Sequence, residues 1–111
     1  MPNRPIAFIK FQENTIAPSD GEILSVNTGS SILNIDIKNT STDAVLNFEA
    51  RINENLDWVK INAVNLTNYD ISTTANTDGI YQIDLTGLSF VRCRVSDITD
   101  GDITVNGKVV S

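Results

Sequence analysis

Ser31-Ile32-Leu33-Asn34-Ile35-Asp36-Ile37-Lys38 is the stretch that decides the fold. Leu33, Ile35 and Ile37 fall on every second position, with Asn34, Asp36 and Lys38 between them. Successive side chains of a strand point to opposite faces, so a period of two gives one apolar and one polar face. The same alternation recurs along the chain. Leu46, Phe48, Ala50 and Ile52 oppose Asn47, Glu49, Arg51 and Asn53; Val59, Ile61 and Ala63 oppose Trp58, Lys60 and Asn62. Tyr81, Ile83 and Leu85 oppose Gln82 and Asp84; Val91, Cys93 and Val95 oppose Arg92, Arg94 and Ser96; Ile103 and Val105 follow. One dry face and one wet face per strand is the pattern of antiparallel sheets.

Turn residues separate these runs: Pro18-Ser19-Asp20-Gly21, Asn27-Thr28-Gly29, Asn39 to Asp43, Asn53-Glu54-Asn55, Asn76-Thr77-Asp78-Gly79, Thr86-Gly87, Asp100-Gly101 and Asn106-Gly107. Asp-Gly and Asn-Gly accept the positive φ that tight hairpins require. The pattern predicts an all-β chain, a single antiparallel β-sandwich of about seven to nine short strands, immunoglobulin-like or jelly-roll. Residues 18–111 form the sandwich in this reading. Residues 1–17, with the apolar run Ile6-Ala7-Phe8-Ile9-Lys10-Phe11, form either an arm that docks on a neighbour or an edge strand of the same sheet.

A chain of 111 residues is the size of one domain. Its apolar fraction of 41% suits a globular core, and with only 6% aromatic residues that core rests on Ile, Val and Leu. Eight basic against fourteen acidic residues give a net charge of −6, which disfavours partners with phosphate backbones or anionic lipid surfaces. No apolar run approaches the roughly 18 residues of a membrane span. The first residues lack the long apolar stretch of a signal peptide, so folding in a cytoplasm is expected. Cys93 is the single cysteine and alternates onto an apolar face, as a small core hydrophobe does.

Catalysis finds little support. The chain has no histidine, which removes the commonest general base and the triads built on it. Asp97, Asp100 and Asp102 flank Gly101, but their spacing matches no calcium loop and reads as a hairpin turn with Asx capping. Asp36 and Glu49 lie on polar strand faces beside Asn and Arg, where cross-strand ion pairs are expected. Asn39-Thr40-Ser41 and Asn65-Leu66-Thr67 fit the glycosylation pattern by chance. No catalytic residue, cofactor or metal ligand is expected. Candidate partner-binding residues are Ile6, Phe8, Ile9 and Phe11 on the apolar N-terminal run, Trp58 as a core cap or stacking platform, and Arg92 and Arg94 as a grip for an acidic partner or as local ion-pair donors.

The run Asp78-Gly79-Ile80-Tyr81-Gln82-Ile83-Asp84-Leu85-Thr86-Gly87-Leu88 leads through Phe90-Val91-Arg92-Cys93-Arg94-Val95 to Gly101-Asp102-Ile103-Thr104-Val105. With Asn55-Leu56-Asp57-Trp58-Val59 before it, this order resembles the small β-sandwich structural domains of tailed-bacteriophage virions, of head-decoration or head-fibre type. The resemblance spans roughly residues 20–107 and carries over no catalytic residues; Cys93 stands where it would place Val or Ile. It implies a virion protein, assembled in the bacterial cytoplasm, that forms a homo-oligomer (a trimer first) and docks on the capsid. The alternative is a carbohydrate- or receptor-binding sandwich of a phage tail or cell-surface protein.

Overall fold

The computed structural model describes residues 6–26 and 32–110, and all regular structure in them is β. Eleven strands are present among the described residues: β1 (Ile6–Thr15), β2 (Ile23–Ser25), β3 (Ile32–Asn39), β4 (Val45–Arg51), β5 (Val59–Lys60), β6 (Ala63–Asn65), β7 (Ile71–Ser72), β8 (Thr74–Ala75), β9 (Gly79–Asp84), β10 (Phe90–Asp97) and β11 (Ile103–Val110). They build two antiparallel sheets packed as one sandwich. The first has the order β1-β11-β3-β9-β6-β7, and the second β2-β10-β4-β5 with β8 also on β4. The count exceeds the expected seven to nine because the stretch from Val59 to Ala75 forms four pieces of two or three residues.

The alternating apolar positions meet between the sheets. Leu33, Ile35 and Ile37 of β3, with Ile83 of the adjacent β9, pack against the sheet that carries Leu46 and Phe48 of β4 and Val91, Cys93 and Val95 of β10, all at most 1% exposed. Interior positions this well filled make each methylene count, and truncating a buried Phe such as Phe48 typically costs about 3–5 kcal/mol.

Three expectations are corrected by the topology. The turn at Asp100-Gly101 does not close a hairpin. It carries the chain from one sheet to the other, as Asn39 to Asp43 and Thr86-Gly87 also do, since β3, β9 and β11 belong to the first sheet and β4 and β10 to the second. Val59 to Ala63 is not one strand: β5 pairs with β4 in the second sheet, and β6 pairs with β9 in the first. Val59, left beyond the core, is 62% exposed. Asn106-Gly107 is no turn, because β11 runs straight through it, with Asn106 opposite Asp36 and Gly107 opposite Ile35.

Gly107 has a packing reason to be glycine. A Cβ there would stand 2.7 Å from a ring carbon of Phe11 and 3.0 Å from a methyl of Ile9. β1 therefore lies close on β11, from Ile6 opposite Val110 to Thr15 opposite Ile103, with irregularities either side of Gln12. Gln12, 3% exposed, fastens this edge to the other sheet. Its Nε2 donates to the Cys93 carbonyl at 2.9 Å and the Ser19 carbonyl at 3.1 Å, and its Oε1 accepts from the Thr15 hydroxyl at 2.7 Å.

Candidate interaction surfaces

The outer face of the second sheet was expected to be wet, and at its centre it is not. Asn47 and Glu49, on the polar positions of β4, are 2% and 6% exposed. Cross-strand register explains why. Arg92 lies opposite Glu49 and Arg94 opposite Asn47, so two long basic side chains close over a single carboxylate. Arg92 Nε donates to Glu49 Oε1 at 2.8 Å, and Arg94 Nε reaches both Glu49 oxygens at 3.2 Å. Arg92 also meets the exposed Asp20 at 3.6 Å. The two arginines thus serve as local ion-pair donors, and their charge is already answered within the fold.

Trp58 does not cap the core. It follows the alternation onto the polar side, beside Arg51 and Arg92, whose guanidinium carbons lie 4.5 and 4.3 Å from its ring centroid. Arg51 also stands 5.2 Å from the Phe90 ring. Arginine over an aromatic face is a favourable cation–π arrangement that holds the guanidinium plane in place. Sequence reasoning placed Arg51 only as a polar strand position. The signal that could have found it is its register: Trp58 precedes Val59, which pairs with Ala50, so Trp58 faces Arg51.

The four N-terminal candidates separate. Phe11 is 1% exposed and belongs to the core, so its ring offers nothing to a partner in the folded chain. Ile9 is half-buried against that core. Phe8 is 77% exposed, with the Lys108 ammonium 6.0 Å from its ring. The side chain of Ile6 lies outside the described residues.

At the sandwich end where β4 stops and β10 begins, the core opens to solvent. Ala50, Ile52, Leu56, Val59, Ile61 and Leu88 line an apolar mouth of about 470 Å³, with Arg51 and Asp57 on its rim. Ile52, expected on the buried face, is 61% exposed because β4 ends one residue before it.

The opposite end is acidic and closed by hydrogen bonds. Asp100 accepts from the Thr42 hydroxyl at 2.7 Å, the Thr42 backbone N–H at 2.9 Å and the Ser41 hydroxyl at 2.9 Å. Asp43 accepts from the Thr99 hydroxyl and the Thr99 backbone N–H at 3.0 Å, and shares the single Ser41 hydroxyl proton with Asp100. These donors hold both carboxyls below the usual carboxylate value, the Thr99 hydroxyl leading for Asp43 and the Thr42 hydroxyl for Asp100. Asp102 exchanges bonds with Thr40 in the same way. The carboxylates are turned to these donors, and among the described residues no three His, Cys, Asp or Glu side chains converge on a metal-sized site. Asn39 and Asn65, the two glycosylation-pattern residues, use their side-chain oxygens to accept from the backbone N–H groups of Ser41 and Thr67. Cys93 is fully buried, which pushes its thiol far above the ordinary range.

A sandwich with one long strand edge, an arginine pair answered by Glu49 and an open apolar end defines the chain as a small all-β domain. The chain belongs to the XepA family, which matches residues 6–109. It is similar to the SPBc2 prophage-derived protein YomS, with 28% identity and a TM-score of 0.88 over 100% of this chain and 97% of that one. It also shares its fold with the PBSX exported protein XepA, at a TM-score of 0.91 and 20% identity. The chain covers 39% of that longer protein's length. No curated protein sequence matches it.

Proposed function

We propose that the chain is a structural component of a phage particle, a capsid-decoration or head-fibre protein that acts by self-association and docking and performs no catalysis. Its family membership and its phage-derived relatives support a phage setting. The observation that carries the self-association is the edge of β1. β1 has ten residues, and among the described residues only β11 pairs with it in the sheet. Beside that edge stands Phe8, 77% exposed. An open strand edge flanked by a large apolar side chain is a template for pairing with another chain. In this reading Ile6, Phe8 and Ile9 meet the neighbouring subunit, a trimer being the first assembly to test. The net charge of −6 keeps free copies apart in the host cytoplasm before they reach the virion.

The test is the solution mass of the full chain and of Phe8→Lys, by light scattering behind a sizing column. The full chain should run as a closed oligomer and the variant as a monomer with an unchanged thermal midpoint. A wild-type chain that stays monomeric at high concentration would sink the proposal. Removing residues 1–11 is not a clean test, because it takes Phe11 out of the core.

A further inference from the structure

The outer face of the second sheet gathers half of the chain's cations. Arg51, Lys60, Arg92 and Arg94, four of its eight basic residues, stand on the outward positions of β4, β5 and β10. Register sets them in rows. Arg92, Glu49 and Lys60 lie side by side across three strands, and Phe90 faces Arg51 in the next row. Glu49 is the one carboxylate inside these rows, and it already takes both Arg92 and Arg94. Lys60, on its other flank, is exposed; neither it nor Arg51 forms an ion pair among the described residues. The neighbouring acids lie outside the rows: Asp20 beyond the β2 edge, Asp97 at the far end of β10 and Asp57 in the apolar mouth. Of these only Asp20 reaches a cation of the face, Arg92 at 3.6 Å. Like charges on adjacent strand positions repel, so a cluster of cations on a chain of net charge −6 calls for a reason.

The chemistry of the face selects what can meet it. Trp58 has the Arg51 and Arg92 guanidiniums at 4.5 and 4.3 Å from its ring, and Arg51 also stands over Phe90. Both rings are engaged by cations, so the face has no open platform on which a sugar or a nucleobase could stack. It offers N–H donors and positive charge. The remaining surface is acidic and repels a polyanion or an anionic bilayer that extends past the patch. A short, local run of carboxylates is what fits, and Glu49 is the precedent for a carboxylate held by these arginines. We propose that this face binds an acidic segment of a partner protein, with two carboxylates on alternate residues of an extended stretch meeting Arg51 and Lys60. Arg51 and Lys60 are diagonal neighbours on paired strands, a separation of about 7–8 Å. Alternate residues of an extended chain point the same way about 7 Å apart, which matches. Arg92 and Arg94 keep Glu49 and add to the attraction. Stacking leaves the Arg51 guanidinium little freedom to lose on binding, which makes it the anchor. The surface is separate from Phe8 and the β1 edge and requires no self-association, so it stands apart from the virion reading.

Trp58 is the chain's only tryptophan and stands among these cations, so its fluorescence reports occupancy. The full chain is titrated with a blocked octapeptide carrying Glu on alternate positions between Ser residues, and with its Gln counterpart. The Glu peptide should shift the emission and saturate, at least tenfold tighter than the Gln peptide, and should weaken as salt is raised. Lys60→Glu and Arg51→Gln should each weaken it at least tenfold. Lys60 is exposed, so Lys60→Glu keeps the test sound if Arg51→Gln perturbs the fold or the emission. Lys38→Gln, on the other sheet, should bind as the wild type does. No saturable binding, equal binding of the Gln peptide, or wild-type affinity in Lys60→Glu would overturn the proposal. Tighter binding of inorganic polyphosphate or a thymidine oligonucleotide at the same residues would overturn it in favour of a phosphate chain. A fall in solution mass on adding the Glu peptide would overturn it by making a second copy the occupant.

Discussion

At Gly107 the need is for absence of a side chain, not for an unusual backbone. A Cβ there would meet Phe11, Ile9 and the Leu33 methyl at 2.7, 3.0 and 3.1 Å, all from well-packed neighbours. Gly107→Ala should therefore destabilise the chain by about 1–3 kcal/mol in urea unfolding. A gain in stability would mean that β1 moves away freely. Glu49 presents the opposite case, a single acid that two arginines depend on. Glu49→Gln should cost about 3 kcal/mol, because Arg92 and Arg94 keep their charge in a largely dry setting. The exposed Lys10–Glu13 pair is the control, and its removal should cost no more than about 1 kcal/mol. Denaturant midpoints that fail to separate the two would argue that water reaches the Glu49 cluster.

The loops that change sheets are held by carboxylates, and this sets a pH dependence. Asp43 and Asp100 are both depressed below the usual 3.8, by hydroxyl and backbone donors. A depressed carboxylate binds fewer protons folded than unfolded. Its contribution is complete above the unfolded value and disappears as pH falls through the folded one. The thermal midpoint should thus fall steeply below about pH 4, and the double variant Asp43→Asn, Asp100→Asn should flatten that fall. An unchanged acid limb would show that other carboxylates control it. Alternation made the long strands legible in the sequence: Leu33 to Ile37, Tyr81 to Leu85 and Val91 to Val95 are buried as their period requires. It could not report which sheet a strand joins, because that depends on partners far along the chain. Hence Val59 to Ala63 read as one strand and the Asp100-Gly101 crossing as a hairpin. Asn106-Gly107 misled for a related reason, since glycine serves tight turns and close strand contact alike. The dryness of Glu49 depends on two arginines from another strand, and the stacking of Arg51 on rings from two other segments. Neither is visible in its own segment.

Across the whole molecule, most strand pairs join segments distant in sequence: β1 with β11, β3 with β9, β4 with β10. Such pairings incur the loop-closure cost before they gain contacts, so refolding should take milliseconds to seconds in stopped-flow experiments. Microsecond folding would contradict this topology. During that time Cys93 is the one reactive thiol, and its alkylation should track global unfolding, with no reaction in the native state. The pairing of Ile6 with Val110 has a different consequence. The two outermost described positions of the polypeptide are neighbours in space, so the domain's point of departure is also its point of return. Splicing these positions together through a short linker, and reopening the backbone at the exposed Thr86-Gly87 turn, should yield a circular permutant with the native sandwich. The same geometry lets such a unit be set into a longer polypeptide as an insert, without asking its host to span any distance.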